Sequence, residues 1–488
     1  MPEIQNLSSE VDIRKEKLKT LKQNGIVPYA DKYERTHTLL EARSLNDGEQ
    51  VKVCGRITFR RIMGKLSFFA VEDINAKLQI SISRNEVSEE DYAFFKTMID
   101  TGDFIGVEGE MYTTHTGERT VRTKSFTLLS KAILPLPEKF HGLINQDQRY
   151  RERCMDLVSN EESRAVFLKR IKFLNFLRSY LNSHGFLEVE TPILQSAVCG
   201  ASAKPFFTKH NALDKICNLR IAPEVYLKQV IAGGFDRVYE VAKCFRNEGM
   251  DHSHLQEFTM VEWYASYWDF EKNIEFFTDF LRKAVQEVCG ASIITFKGHE
   301  IDFSKTFKRI NYTDTINQIL NLDVLNYTEA SKLKEDIAKT GLFELSDFDG
   351  IKTVGGVIDY VYKRKIRENI VEPTILFNYP ACLVPLARRN DEDARRIDMF
   401  QVLVCGDEIC KAYSELVDPI IQREALEEQA KARMSGDDEA MELDEDFLNA
   451  MEHGMPPISG LGFGVDRMVC MLTSQESLRD VVLFPLMK

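Results

Sequence analysis

No stretch of the 488 residues approaches the roughly 20 apolar residues that a bilayer-spanning helix needs. The first residues are polar and charged and do not form a basic–apolar leader. A helical membrane segment is thereby excluded, and the expected compartment is the cytoplasm. Paired cysteines are also lacking: the ten cysteines stand singly, and none has the short CxxC spacing that puts two thiolates on one zinc. They read as reduced core thiols, with Cys405 and Cys410 in a buried strand and its turn. Positive charge is not in excess either. A net charge of −13 argues against a nucleic-acid affinity spread over the whole surface, and leaves only local patches to supply one. Two such patches exist, at Arg14, Lys15, Lys17, Lys19 and Lys22 and at Arg56, Arg60, Arg61 and Lys65. A solvated helix face and a nucleic-acid contact are equal readings of the first. Internal repeats, low-complexity tracts and the βαβ rhythm of a doubly wound fold are absent as well.

What is present is an ordinary soluble composition, 44 % apolar and 28 % charged, in a chain too long for one core. Residues 9–24 predict an amphipathic helix with Val11, Leu18 and Leu21 on one side and Gly25 as its stop. From 51 to 133, five short alternating runs separated by turn residues predict a small closed barrel of the OB type. The segment 134–143, with two prolines, reads as a linker. A long amphipathic helix is expected at about 162–184, leading to the strand FLEVETP. Residues 312–372 read as a helix-rich insertion without recognisable chemistry, and 421–452 as acidic helical segments. The expected division is a helix-plus-barrel domain over 1–137, a linker over 138–160 and an α+β catalytic domain over 161–488.

Three segments carry chemistry. In FRNEG at 245–249, followed by EFTMVEWY at 257–264, Arg246 reads as a buried ion pair or as a planar cation that holds two anions together for in-line attack. The glycine-rich GLGFGVDRM at 460–468 on its own favours a structural turn, with Arg467 at a helix start within reach of a nucleotide. The third is the long helix ending in GFLEVETPIL at 185–194.

In this order, these segments resemble the three signature motifs of the class II aminoacyl-tRNA synthetases. GASAKPF at 200–206, LRIAPEVYLK at 219–228, PLARRND at 385–391, AYSEL at 412–416 and HGMPPISGLGFGVDRMV at 453–469 resemble the lysyl branch of that class. RRIMGKLSF at 60–68 and LPEKFHGL at 136–143 match its N-terminal domain. The resemblance implies a six-stranded antiparallel catalytic sheet, an anticodon-reading OB barrel and a homodimer built on the long helix. It implies L-lysine, ATP and tRNA(Lys) as partners, Mg2+ as cofactor and no membrane. By similarity, Glu262, Tyr264 and Glu415 would surround the lysine ammonium, Tyr413 would also bind the lysine, Glu224 and the backbone at Gly200 would hold its α-amino group, and Arg246 would meet its carboxylate. Phe258 and Arg467 would sandwich adenine, Glu248 would accept from its amine, His254 would lie near the outer phosphates and Glu408 would bind magnesium. Arg246 and Arg467 would be the catalytic pair. Arg61, Phe68, Gln79 and Glu118 would read the anticodon, provided Phe68 and not Phe69 points outward.

Several positions depart from the family's pattern. The loop MDHSHLQEF at 250–258 lacks an Arg, and Leu255 and Gln256 replace Asn and Pro. Gln401 stands where a magnesium-binding Glu is usual, Lys411 where an Asn is, and Cys199, Cys382 and Val384 are likewise atypical. These departures set two expectations side by side: a working lysyl-tRNA synthetase with a rebuilt ATP site, or a paralogue that keeps recognition and loses charging.

Overall fold

The computed structural model describes residues 2–137, 143, 145–384, 387–434 and 440–487, with the backbone alone for 2–8 and 432. Parts of the expected linker, of PLARRND and of the acidic run at 436–446 lie outside them. The chain forms two compact units, Met1–Arg149 with Cys154–Asn160, and Tyr150–Arg153 with Glu161–Lys488.

In the first unit, strands β1 (Gln50–Met63), β2 (Leu66–Glu72), β3 (Lys77–Ser83), β4 (Phe104–Thr113) and β5 (Arg119–Ser130) close a barrel in the order β1-β2-β3-β5-β4. Alternation decides which side chains fill it: Phe69, Val71, Leu78, Ile80 and Val121 point inward, so their neighbours must point out. Helix α1 (Pro2–Gln23) precedes the barrel, and α2 (Glu89–Met98) joins β3 to β4. Gly25, at φ +71°, permits the left-handed turn that ends α1. The first basic cluster is not a uniform surface. Arg14 is buried and donates to the Thr101, Ala132 and Leu134 carbonyls, and Lys17 pairs with Asp100 at 2.6 Å. Their charge satisfies backbone and acid groups inside the unit, which leaves Lys15, Lys19 and Lys22 exposed.

The second unit is built on an eight-stranded sheet. Its strands are β6 (Leu187–Glu188), β7 (Arg237–Phe245), β8 (Glu257–Ser266), β9 (Lys308–Asn311), β10 (Thr374–Pro380), β11 (Arg396–Val404), β12 (Asp407–Ser414) and β13 (Ile458–Gly464), ordered β9-β10-β11-β12-β13-β8-β7-β6. The expected six antiparallel strands are the centre of this sheet, and β9 and β6 extend it at the edges by parallel pairing. One face is covered by α3 (Glu161–Ser183) and, after α4 (Glu224–Ala232), by α5 (Phe270–Cys289). Asp269 caps α5 by accepting from the Lys272 N–H, and Phe277, Phe280, Leu281 and Ala284 seal it on the sheet. Each fully buried large apolar side chain contributes roughly 1.5–3 kcal/mol.

Most of the apolar face of α3 (Phe173, Leu177, Leu181) is used up inside this core, whereas Leu168 and Ile171 remain exposed. The insertion forms α6 (Tyr312–Leu320), α7 (Ala330–Lys339) and α8 (Val354–Lys365), packed on the β10–β11 side of the sheet. Helices α9 (Pro419–Met434) and α10 (Glu445–Glu452) come before β13, and α11 (Val465–Thr473) follows it. The stretch expected as a linker holds two short helices, Gln146–Arg151 and Arg153–Ser159. Its residues Tyr150 and Arg153 are fixed by Asp480 and by the Leu483 carbonyl.

Candidate active site

Strand alternation sorts the motif residues onto two faces. On β8, Val261, Trp263 and Ala265 enter the core, so Phe258, Met260, Glu262 and Tyr264 line the opposite, open face. On β13, Leu461 and Phe463 are core residues, and Gly460, Gly462 and Gly464 face the same opening. GLGFG is therefore strand and not a turn. Its glycines make room: a Cβ at Gly460 would lie 2.3 Å from the Tyr264 ring and 2.4 Å from Glu415 Oε1. On β12 the alternation breaks once. A bulge opposite Val402/Leu403 sends both Ile409 and Cys410 into the core, which turns Glu408 onto the face of Lys411 and Tyr413. Together with α4, the 246–256 loop, α9 and α10, these strands enclose a cleft of about 540 Å³.

Every residue expected at the catalytic centre lines this cleft: Gly200, Glu224, Arg246, Glu248, His254, Phe258, Glu262, Tyr264, Glu408, Tyr413, Glu415 and Arg467. The four expected on the barrel belong to the other unit.

One end of the cleft is acidic and dry. Glu262 and Glu415 are 5 % and 3 % exposed, and Glu224 joins them from α4. A residue that the motifs did not single out, Lys228, stands among them. Its buried Nζ lies 2.6 Å from Glu224 and 2.7 Å from Glu415. The signal for it was available, since Lys228 is one helical turn after Glu224. Three carboxylates face one ammonium here. Tyr264 donates to Glu262 at 3.0 Å, while Glu415 Oε1 is buried without a hydrogen-bond partner. Burial pushes the Glu262 carboxyl up to about 8, helped by Glu224 nearby, and burial pushes Glu415 up to about 7 against the pull of Lys228. At Gly200, φ is +93° and a Cβ would press on that of Glu224 at 3.3 Å, so backbone stays beside that carboxylate.

The other end is cationic. The Arg246 guanidinium lies 5.1 Å from the Phe258 ring centroid, and its Nε is buried without a partner. Arg467, on α11, donates to the Glu408 carbonyl at 3.1 Å. Arg246 therefore covers the ring expected to stack with Arg467 across adenine. His254 is exposed and bonded to Asp251, whose carboxyl that contact draws down to about 2. The Gln256 backbone carbonyl accepts the Arg246 backbone N–H and its side-chain amide donates to the Glu248 carbonyl, so Gln256 braces the loop from inside. Gln401 donates to Glu408 and accepts from the Tyr379 hydroxyl. No group of three or more His, Cys, Asp or Glu converges on a metal position among the described residues. The donor set fits a Mg2+ held by one carboxylate, Glu408, and by the phosphates of a nucleotide, and does not fit an all-protein cage.

On the barrel, Arg61 is directly opposite Phe68, and Phe68 is opposite Ser81. Gln79 lies two residues from Ser81 and opposite Thr120, to which its amide donates at 3.0 Å. Arg61, Phe68 and Gln79 thus share the outer face, with Phe68 half-buried, Phe69 fully inside, and Glu118 exposed just before β5.

Both regions of the chain match known families. The family described as tRNA synthetases class II (D, K and N) matches residues 145–488, and the OB-fold nucleic acid binding domain matches 51–129. Proteins named lysine–tRNA ligase are similar throughout. That of Enterococcus faecalis is 40 % identical over 99 % of this chain and 98 % of its own length. That of Lactococcus lactis subsp. cremoris is 40 % identical over 100 % of both. That of Listeria welshimeri is 41 % identical over 99 % and 98 %.

Proposed function

The chain belongs to the class II tRNA synthetases, in their lysine–tRNA ligase branch, and we propose how its cleft carries out the reaction. The ligase activates lysine with ATP and transfers it to tRNA. The observation that carries our reading of the cleft is the surplus of buried carboxylate at its acidic end. Glu262 and the unpartnered oxygen of Glu415 receive the ε-ammonium, with Tyr264 and Tyr413 shaping the sides of the pocket. A neutral side chain cannot draw the protons from these carboxyls or pair with them, and so forgoes the ion pair that lysine gains. Lys228 holds Glu415 and Glu224 in place, so that Glu224 and the Gly200 backbone meet the α-amino group.

The carboxylate then points to the cationic end. Arg246 binds it together with the α-phosphate, and Arg467, Phe258, Glu248 and His254 hold the nucleotide. A carboxylate oxygen forms a bond to the α-phosphorus as the bond to the β-phosphate bridging oxygen breaks, and pyrophosphate leaves with the electron pair. No side chain has to move a proton in this step; positioning and charge neutralisation carry it. Glu408 would hold Mg2+, which when bound supplies further positive charge to the phosphates. A terminal tRNA hydroxyl then attacks the activated carbonyl, its proton passing to a phosphate oxygen as AMP departs with the electron pair of the broken C–O bond. Arg61, Phe68, Gln79 and Glu118 serve as the anticodon reader. We further propose that the protein works in the cytoplasm as a homodimer; no described helix is long and apolar enough to cross a membrane.

Lysine-dependent ATP–pyrophosphate exchange tests the assignment, with each other amino acid as control. Exchange with lysine alone is the expected result; exchange with a neutral amino acid would sink the pocket assignment.

A further inference from the structure

A second chamber of about 490 Å³ lies between α8 and the sheet, and shares Leu383, Val384, Glu408 and Lys411 with the cleft. The insertion, expected to carry no chemistry, thus walls a space next to the active site. Lys411 stands in the boundary between the two. Strand register places it opposite Gln401 on one side and Gly462 on the other, on the face that also bears Glu408 and Tyr413. It therefore sits at the seam between the acidic and the cationic ends.

Of the other cations of the cleft, Lys228 is held by two carboxylates and Arg467 by a carbonyl, while Arg246 lies over the Phe258 ring with its Nε unpartnered. Lys411 is half-buried, its Nζ is 5.9 Å from the Tyr413 ring centroid, and it forms no ion pair among the described residues. The residue facing it, Gln401, is neutral and has both ends of its amide occupied. A partly desolvated ammonium without a counter-ion is stabilised when an anion arrives.

We propose, resting on the ligase reading above, that Lys411 is a further catalytic cation. Its ammonium pairs with the α-phosphate of ATP and supplies positive charge there that does not depend on a metal ion. As the carboxylate bonds to phosphorus and pyrophosphate leaves, the Lys411 ammonium holds the non-bridging oxygens. Gln401 belongs to the same device: a carboxylate at that position would pair with Lys411 and withdraw it from the nucleotide.

Calorimetric titration of ATP into the full chain, with chelator or with Mg2+, tests this. Without metal, Lys411→Asn is expected to weaken ATP binding roughly ten- to hundredfold, the usual range for a lost charge-assisted hydrogen bond. Lys411→Arg is expected to keep most of the affinity, and Gln401→Glu to make binding depend on Mg2+. Equal metal-free affinity of wild type and Lys411→Asn, or no measurable metal-free binding by the wild type, overturns the proposal. The readout needs no turnover, so failure of the ligase reading would show separately, as absent lysine-dependent exchange by the wild type.

Discussion

Glu262 and Glu415 are carboxyls placed where water scarcely reaches, and both titrate near neutrality for that reason. Their protonation is therefore coupled to the arrival of a cation. With the pocket empty and the pH below about 7, each tends to keep a proton; an entering ammonium favours the charged forms and expels it. Lysine affinity should thus rise with pH from 6 to about 8, by up to ~tenfold per unit for each proton expelled, and then level off. Calorimetry in buffers of different ionisation enthalpy would detect the released proton, and a flat profile would contradict the assignment. Glu415→Gln keeps the shape and removes the charge. It leaves Lys228 with one acid fewer, and lysine selectivity should collapse while the circular dichroism spectrum stays native; unchanged lysine binding would show that the ammonium lies elsewhere.

The elements set these residues in place through alternation. Because Leu461 and Phe463 anchor β13 in the core, the glycines between them must face the cleft, and Gly460 leaves the space that Tyr264 and Glu415 occupy. Gly460→Ala should cost about 1–3 kcal/mol in overpacking, or displace the two side chains. Either way the lysine KM should rise sharply with little effect on ATP binding, and an unaltered KM would mean the pocket does not use this contact. On the barrel, Phe69 filling the interior obliges Phe68 to face out. Loss of one aromatic–base stack costs roughly 1–3 kcal/mol. Phe68→Ala should accordingly raise the KM for tRNA about ten- to hundredfold and leave pyrophosphate exchange untouched, whereas an equal fall in both would mark Phe68 as structural.

For the whole molecule, the surface left after folding matters. The three-stranded sheet formed by Leu194–Gln195, Phe206–His210 and Lys215–Leu219 exposes Phe207 at 58 % and Ile216 at 59 % on one face. The two side chains are diagonal neighbours across the strand pair, and a contiguous exposed apolar patch is a candidate contact surface. Sedimentation velocity should therefore give the mass of two chains, and Phe207→Glu combined with Ile216→Glu should reduce it to one. A mutant that still sediments as two chains would move the interface off this sheet.

Local rules made a good part of this legible. The barrel strands follow from short-range alternation and turn residues, and the order FRNEG, EFTMVEWY, GLGFGVDR followed the chemistry because each motif is local. Which glycine faces the pocket, and that GLGFG is strand, needed the neighbouring strands. The pairing of Lys228 with Glu415, the hydrogen bonds from Arg14 to the Thr101, Ala132 and Leu134 carbonyls, and the chamber behind α8 all join residues far apart in the chain. Propensity and periodicity act over a few residues; burial, register and charge pairing are decided by whatever the fold brings alongside, so the sequence named the chemical groups and the tertiary structure decided which of them meet.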